Sequence, residues 1–182
     1  SLETAVNSID KKLHNFCIKL SGAVLSSEDT KKLNVIMYSL RDYERIADLA
    51  QNTVIKMQNI YATKEKITNE AVGEMAKMLE VCYLAVKDTI NMFLQRDLKF
   101  GASVNEKEEY IDKLERKAIK NHMNRTREGK CVGSAAVIYV DIISDIERIG
   151  DHAVNIVEHY TYKDLVLTPE EEDLDLSKFI IE

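Results

Sequence analysis

Two stretches of similar sequence decide the fold of this chain. RDYERIADLAQN runs from Arg41 to Asn52, and SDIERIGDHAVN runs from Ser144 to Asn155. Both place apolar residues at steps of three and four, which indicates the buried face of a helix. The second stretch follows the first by 103 residues, so the repeated element is longer than one helix. The sequence therefore predicts two related helical units.

The composition favours long helices throughout. The chain has 182 residues with one proline and 6 glycines, and 45% of the residues are hydrophobic. Apolar residues at helical spacing predict five long helices, and the last three are expected at 68–98, 103–128 and 131–163. No strand pattern is found, so the predicted fold is all-α, and Gly101 is expected to end the third helix.

The repeat divides the predicted helices into tandem three-helix bundles. The first unit, 1–62, has only two helices, so we expect it to lack its initial helix. The second unit, 68–163, has all three, and an acidic tail, 164–182, follows it. Helix three is the candidate for the joint between the units. The incomplete first bundle should leave an apolar face uncovered, which a second copy in a homodimer or the tail residues Leu174, Phe179 and Ile180 could cover.

Charge and cysteine usage exclude several classes of protein. The net charge of −6 disfavours nucleic acid as a partner, because phosphate binding needs clustered lysine and arginine. Cys17, Cys82 and Cys131 are odd in number and widely spaced, which is typical of reduced packing residues. No apolar run approaches the roughly 20 residues of a membrane span. We therefore expect a cytoplasmic protein, or the cytoplasmic domain of a membrane protein.

Each repeated stretch carries two carboxylates four residues apart. Glu44 and Asp48 share one helix face, and so do Glu147 and Asp151. Like charges at this spacing cost roughly 0.2–0.5 kcal/mol unless they are neutralised. Glu147 has no lysine or arginine three or four residues away on its own helix. Its compensation must come from another helix, from water or from a cation.

A third pair strengthens the cation hypothesis in the second unit. Glu108 and Asp112 lie on the helix before Glu147 and Asp151, so four carboxylates could converge. Such a set suits magnesium, manganese, iron or zinc ions. The alternative is a salt-bridged or solvated helix face.

The first unit has a weaker set of candidate ligands. Asp10 occupies the place of Asp112, but Val6 stands where the second unit has Glu108. The candidate metal ligands there are Asp10, Glu44 and Asp48.

Signs of catalysis are absent from the sequence. The histidines are scattered, and none lies three residues after a glutamate, as it would in a di-iron oxidase bundle. No glycine-rich phosphate loop or nucleophile elbow occurs. The sequence therefore predicts a protein that is not an enzyme.

The segments ERIADLAQN and ERIGDHAVN resemble the duplicated signature of PhoU proteins, the bacterial regulators of phosphate uptake. The resemblance implies two three-helix bundles. It also implies multinuclear iron or zinc clusters, or other divalent metals, bound through E(D)xxxD motifs. Glu44-xxx-Asp48, Glu108-xxx-Asp112 and Glu147-xxx-Asp151 match those motifs here, and Val6 departs from them.

A narrower resemblance concerns the segments before each signature. LSSEDTKKL and HMNRTREGKC look like the PhoU-like domain at the C-terminus of Na⁺/phosphate cotransporter proteins. This implies a metal-binding cytoplasmic domain that regulates an attached phosphate transporter. The alternative is a free-standing PhoU regulator, which would bind an ABC-type phosphate transporter and a sensor histidine kinase.

Overall fold

The computed structural model describes residues 2–62, 67–131 and 133–161. These residues form five helices, α1 Leu2–Ser21, α2 Ser27–Ala62, α3 Asn69–Gln95, α4 Lys99–Arg127 and α5 Ser134–Thr161. The described ranges contain no strand, and the predicted all-α fold is confirmed. None of these helices combines the length and hydropathy needed to cross a membrane. The predicted tail, 164–182, lies outside the described residues.

Local signals set where the helices begin. The Ser26 hydroxyl accepts a hydrogen bond from the Asp29 amide at 3.0 Å, just ahead of α2. The Thr68 hydroxyl accepts one from the Ala71 amide at 3.3 Å at the start of α3. Each bond satisfies one of the amides that the first turn of a helix leaves without a partner.

The expectation that Gly101 ends the third helix is wrong. Arg96 ends α3, with a left-handed φ of 52°. Gly101 is buried within the first turn of α4. A Cβ at this position would lie 2.9 Å from Val157 Cγ1 and 3.3 Å from Met92 Sδ. Its role is therefore to let α4 approach its neighbours closely.

Helices α3, α4 and α5 pack against one another as a bundle. Polar side chains also join the three helices at one end of this bundle. Arg125 of α4 donates to Glu74 of α3, with Nη2 and Oε2 2.8 Å apart, and the Tyr139 hydroxyl of α5 donates to the same carboxylate. Glu74 thus accepts hydrogen bonds from both of the other two helices.

The three cysteines are free and buried, as the sequence predicts for packing residues. Cys82 donates from Sγ to the Ile146 carbonyl at 3.2 Å. Burial raises the pKa of the Cys82 thiol to about 12, so this group remains a thiol at neutral pH.

Helices α2 and α5 make the most extensive contact between the two units. Helix α3, which the sequence marked as the joint, also reaches α2, since the Tyr43 hydroxyl donates to Thr89 Oγ1 at 3.0 Å. Lys56 Nζ lies 2.6 Å from Asp145 Oδ2, and His159 Nε2 lies 3.0 Å from Asp42 Oδ2. Asp42 and Asp145 are repeat equivalents, and so are Lys56 and His159. The two helices thus run antiparallel and exchange equivalent contacts, as expected for units related by an approximate two-fold axis.

Apolar residues of the first unit are more exposed than their repeat counterparts in the second. Helix α1 packs against α2, yet Ile9 is 57% exposed while its repeat counterpart Ile111 is fully buried. Val54 of α2 is 53% exposed, whereas its counterpart Val157 is 4% exposed. These positions are therefore buried in the second unit and open in the first.

Candidate metal-binding site

Close packing of α4 on α5 places the predicted carboxylates at the edge of the core. A Cβ on Gly150 would lie 3.1 Å from Ile111 Cδ1 and 3.9 Å from Glu108 Cγ. Ile111 and Ile146 are fully buried, and each is followed directly by a predicted ligand, Asp112 or Glu147. The buried isoleucines thus fix the register in which the two carboxylates leave the core.

The carboxylates of α4 and α5 act on one another through their charges. Burial raises the pKa of Glu147 to about 7, and the nearby negative charges of other carboxylates add to this effect. Those carboxylates are Asp151, Glu115, Asp112 and Glu108. All four predicted ligands of the second unit therefore lie close enough to repel one another on one face, which we call the acidic face.

The same two causes act on other members of the acidic face. Burial raises the pKa of Glu108, and the charges of Asp112 and Asp151 raise it further. Burial, followed by the charge of Asp112, also raises the pKa of Asp151, while His152 and Arg148 oppose the change. Charge repulsion between α4 and α5 is thus built into the bundle.

Glu115 is a member of the acidic face that the sequence analysis missed. Burial raises its pKa, and the charge of Asp112 adds to the effect. Glu115 follows Glu108 by seven residues, or about two helical turns, so it lies on the same side of α4. Leu13 stands at its counterpart in α1, and comparison of the repeats therefore conceals it.

Little positive charge balances the acidic face. Arg116 Nη1 lies 3.1 Å from Asp112 Oδ2, and the arginine side chain is 64% exposed. An exposed pair of this kind contributes about 0–1 kcal/mol. In the described part of the chain, Glu108, Glu115, Glu147 and Asp151 form no ion pair or hydrogen bond. Water or a cation must compensate their charges.

The carboxylates of the acidic face are suitable ligands for a hard cation, but their side-chain orientations do not form a metal site. Carboxylate oxygens are the ligands that magnesium, calcium and manganese prefer. As oriented, however, no three Asp, Glu, His or Cys side chains of the described residues could hold one metal ion. Binding would therefore require the glutamate side chains to rotate toward one another.

The candidate ligands of the first unit already have partners. Arg45 lies 3.7 Å from Asp48 and 3.8 Å from Glu44, measured from Nη1 and Nε to the nearest carboxylate oxygens. The Asp10 carboxylate lies 3.1 Å from Nδ1 of His14. A cation would have to displace these contacts, so this set is the weaker candidate.

Two histidines that the sequence analysis treated as scattered meet at the α2–α5 contact. Nδ1 of His152 lies 2.7 Å from Asp42 Oδ1, and Nε2 of His159 lies 3.0 Å from Asp42 Oδ2. Asn155 also donates to this carboxylate, at 3.4 Å. The spacing of three and seven residues along α5 places all three side chains on one face, which is the only sequence signal for this cluster.

These features define a class of protein. It is a helical bundle with a carboxylate-lined face and a first repeat unit whose apolar residues are partly exposed. Residues 75–159 match the PhoU domain, and the chain therefore carries a domain of the PhoU family. This range contains α4, most of α3 and α5, and the whole acidic face.

Relatives and solved structures extend the likeness to more of the chain. The phosphate-specific transport system accessory protein PhoU homolog 1 of Thermotoga maritima is 32% identical over 135 residues, covering 72% of this chain and 57% of that protein. A PhoU homolog of Clostridium acetobutylicum is 21% identical and covers 93% of this chain and 76% of the relative. The chain thus spans little more than half the length of the Thermotoga relative.

The solved PhoU structures share the fold. PhoU of Streptococcus pneumoniae, a phosphate transport system regulatory protein, superposes with a TM-score of 0.75 at 21% identity, covering 94% of this chain and 78% of that one. PhoU of Pseudomonas aeruginosa gives a TM-score of 0.69, also at 21% identity, over 88% and 80% of the two chains.

Proposed function

We propose that this chain is a PhoU-type regulatory protein that acts with a phosphate transport system and has no catalytic activity of its own. The PhoU domain over residues 75–159 carries this proposal. Relatives named as accessory proteins of phosphate-specific transport systems support it. These names favour the free-standing regulator over a domain attached to a Na⁺/phosphate cotransporter.

A metal ion is part of the proposed function. Glu108, Asp112, Glu147 and Asp151 would hold it, with Glu115 as an additional ligand. The repulsion among these groups is the observation that supports a cation here, because a divalent ion would relieve it. When bound, magnesium, manganese, iron or zinc would supply positive charge that holds α4 and α5 together. The carboxylates themselves would position the ion between the two helices.

The proposed partners are the components of the transport system and the protein that signals phosphate status. The family resemblance implies an ABC-type phosphate transporter and a sensor histidine kinase, at the cytoplasmic side of the membrane. The test is co-purification of the tagged chain with membranes that contain the phosphate-specific transporter. Equal recovery from membranes that lack the transporter would refute the partner assignment.

Metal binding is tested separately by thermal unfolding of the chelator-treated protein with magnesium, manganese, iron(II) or zinc. A ligand that binds only the folded state at 100 times its Kd stabilises by about 2.7 kcal/mol. We expect the wild type to gain stability and the double variant Glu147→Gln with Asp151→Asn to lose most of that gain.

The matched control makes the same changes in the first unit, Glu44→Gln with Asp48→Asn. These residues occupy equivalent helix positions but are paired with Arg45. The control variant should retain most of the metal-dependent gain. Equal losses in both variants, or no gain in the wild type, would refute a specific site on the acidic face.

A further inference from the structure

One arginine of α4 partly neutralises the acidic face. Arg116 Nη1 lies 3.1 Å from Asp112 Oδ2. Burial and neighbouring carboxylates raise the pKa of Glu108 and of Glu115, and the positive charge of Arg116 opposes both changes. This arginine therefore acts on three of the five carboxylates of the acidic face.

The pair of Asp112 and Arg116 follows from their spacing in the sequence. The two residues are four apart with the acidic residue first, which is the order that favours an ion pair along a helix. An arginine side chain also keeps its charge at every pH at which proteins are folded. The attraction between the two side chains is therefore present whenever α4 is formed.

The exposure of this pair separates it from the structural ion pair of the same helix. The side chain of Arg125 is only 10% exposed and holds Glu74 between the helices. The side chain of Arg116 is 64% exposed, so water can replace Asp112 as its partner at little cost. Arg116 is therefore a counter-ion that can leave, whereas Arg125 is a fixed part of the packing.

The first unit repeats this arrangement. Asp10 and His14 stand at the counterparts of Asp112 and Arg116, and His14 Nδ1 lies 3.1 Å from Asp10 Oδ1. In both units a side chain one turn further along the helix thus places a nitrogen against the aspartate of the candidate metal set. This carboxylate already has a partner in the absence of a metal ion.

The contact with Arg116 bears on how a metal ion would bind to Asp112. Within the described ranges, no three side chains are oriented to hold one ion, and Asp112 is one of the candidate donors. A metal ion and a guanidinium group are both cations, so they compete for the same carboxylate. A divalent ion would also repel the arginine charge at a distance of about one helical turn.

We infer that Arg116 is an internal competitor of the metal ion. It contacts Asp112 in the metal-free protein, is displaced when the ion binds, and so sets the affinity of the acidic face. This role rests on the metal site proposed above and adds the residue that tunes it. Arg116 is a positioning residue rather than a ligand, because it acts through Asp112 and through its own charge.

Calorimetric titration of the chelator-treated full chain with manganese, and with zinc in a second series, tests this role. Arg116→Gln removes the charge, whereas Arg116→Lys keeps it. The matched control is Lys113→Gln, which removes one charge from the same helix. The Lys113 side chain is 63% exposed and pairs with Glu109 at 3.6 Å instead of with the acidic face. Urea unfolding confirms that each variant is folded.

We expect Arg116→Gln to bind the ion about five- to tenfold more tightly than the wild type, because a single charge near a divalent ion in water has an effect of this size. Arg116→Lys and Lys113→Gln should stay within about twofold of the wild type, the latter because salt screens a more distant charge. Adding Glu147→Gln with Asp151→Asn to Arg116→Gln should abolish the gain, which places it at the acidic face.

The competitor role is overturned if the wild type and Arg116→Gln bind the ion equally well, or if Lys113→Gln gains as much as Arg116→Gln. It is also overturned if Arg116→Lys binds as tightly as Arg116→Gln, or if the gain persists without Glu147 and Asp151. In each of these cases the protein still binds metal. If neither the wild type nor Arg116→Gln binds either ion, the proposed metal site fails, and the competitor role fails with it.

Discussion

Replacing Glu147 by glutamine should stabilise the metal-free protein at alkaline pH. In the folded chain, burial and neighbouring carboxylates raise the pKa of Glu147 from 4.5 to about 7. A carboxyl with a raised pKa binds its proton more tightly in the folded state than in the unfolded state. The ionised group therefore opposes folding, and this cost grows as pH rises from 4.5 to 7 and is constant above that.

The size of the effect follows from the same values. Each pH unit in this window changes the free energy of unfolding by about 1.4 kcal/mol per group, so the full window gives roughly 3 kcal/mol. Glu147 is only partly buried, and solvent screening reduces this figure to about 1–2 kcal/mol. The free energy of unfolding of the variant should exceed that of the wild type by this amount at pH 8 and equal it near pH 4.5.

Urea unfolding in the presence of a chelator, at pH 5 and pH 8, measures this difference. The control is Glu106→Gln, an exposed position on α4, which should leave stability nearly unchanged at both pH values. The reasoning would be refuted if Glu147→Gln were no more stable than the wild type at pH 8, or if its added stability were as large at pH 5 as at pH 8. With a saturating metal ion the wild type should be more stable than Glu147→Gln, because only the wild type keeps its full set of ligands.

Four further substitutions test the packing that positions the acidic face, each followed by urea unfolding. Gly101→Ala should destabilise by about 1–3 kcal/mol because its Cβ would clash, whereas Gly73→Ala, with nothing within 4 Å, should stabilise by up to about 1 kcal/mol. Glu74→Ala should cost about 3–5 kcal/mol because it leaves Arg125 buried without its partner. Asp42→Asn should cost about 1–3 kcal/mol, since a neutral amide replaces the acceptor of the two α5 imidazole groups. A change near zero in the free energy of unfolding for Gly101→Ala, Glu74→Ala or Asp42→Asn would contradict the contacts described.

The sequence predicted the helices and the acidic face because both follow from short-range spacing. Positions three and four apart share a helix face, and the repeat relates one unit to the other. Asp112 and Glu147 could thus be assigned to the edge of the core from the isoleucines that precede them. The buried role of Gly101 has no such signal, because it depends on which neighbouring helix lies opposite. Glu115 was missed because Leu13 stands at its repeat counterpart.

The contact between the two units could not be predicted from periodicity. Asp42 and His152 are 110 positions apart, and nothing within either helix links them. The approximate two-fold relation of α2 and α5 emerges only when the helices are placed together, as does the pairing of Lys56 with Asp145. Long-range polar pairs of this kind are properties of the assembled fold rather than of any single segment.

Anomalous X-ray diffraction from crystals soaked in manganese or zinc tests the proposed metal site most directly. The account predicts an anomalous peak between α4 and α5, within ligand distance of Glu147 and Asp151, and a weaker peak or none beside Glu44 and Asp48. The Glu147→Gln and Asp151→Asn double variant should lose the first peak. A peak confined to other positions, or no peak at the acidic face at saturating metal, would contradict the account.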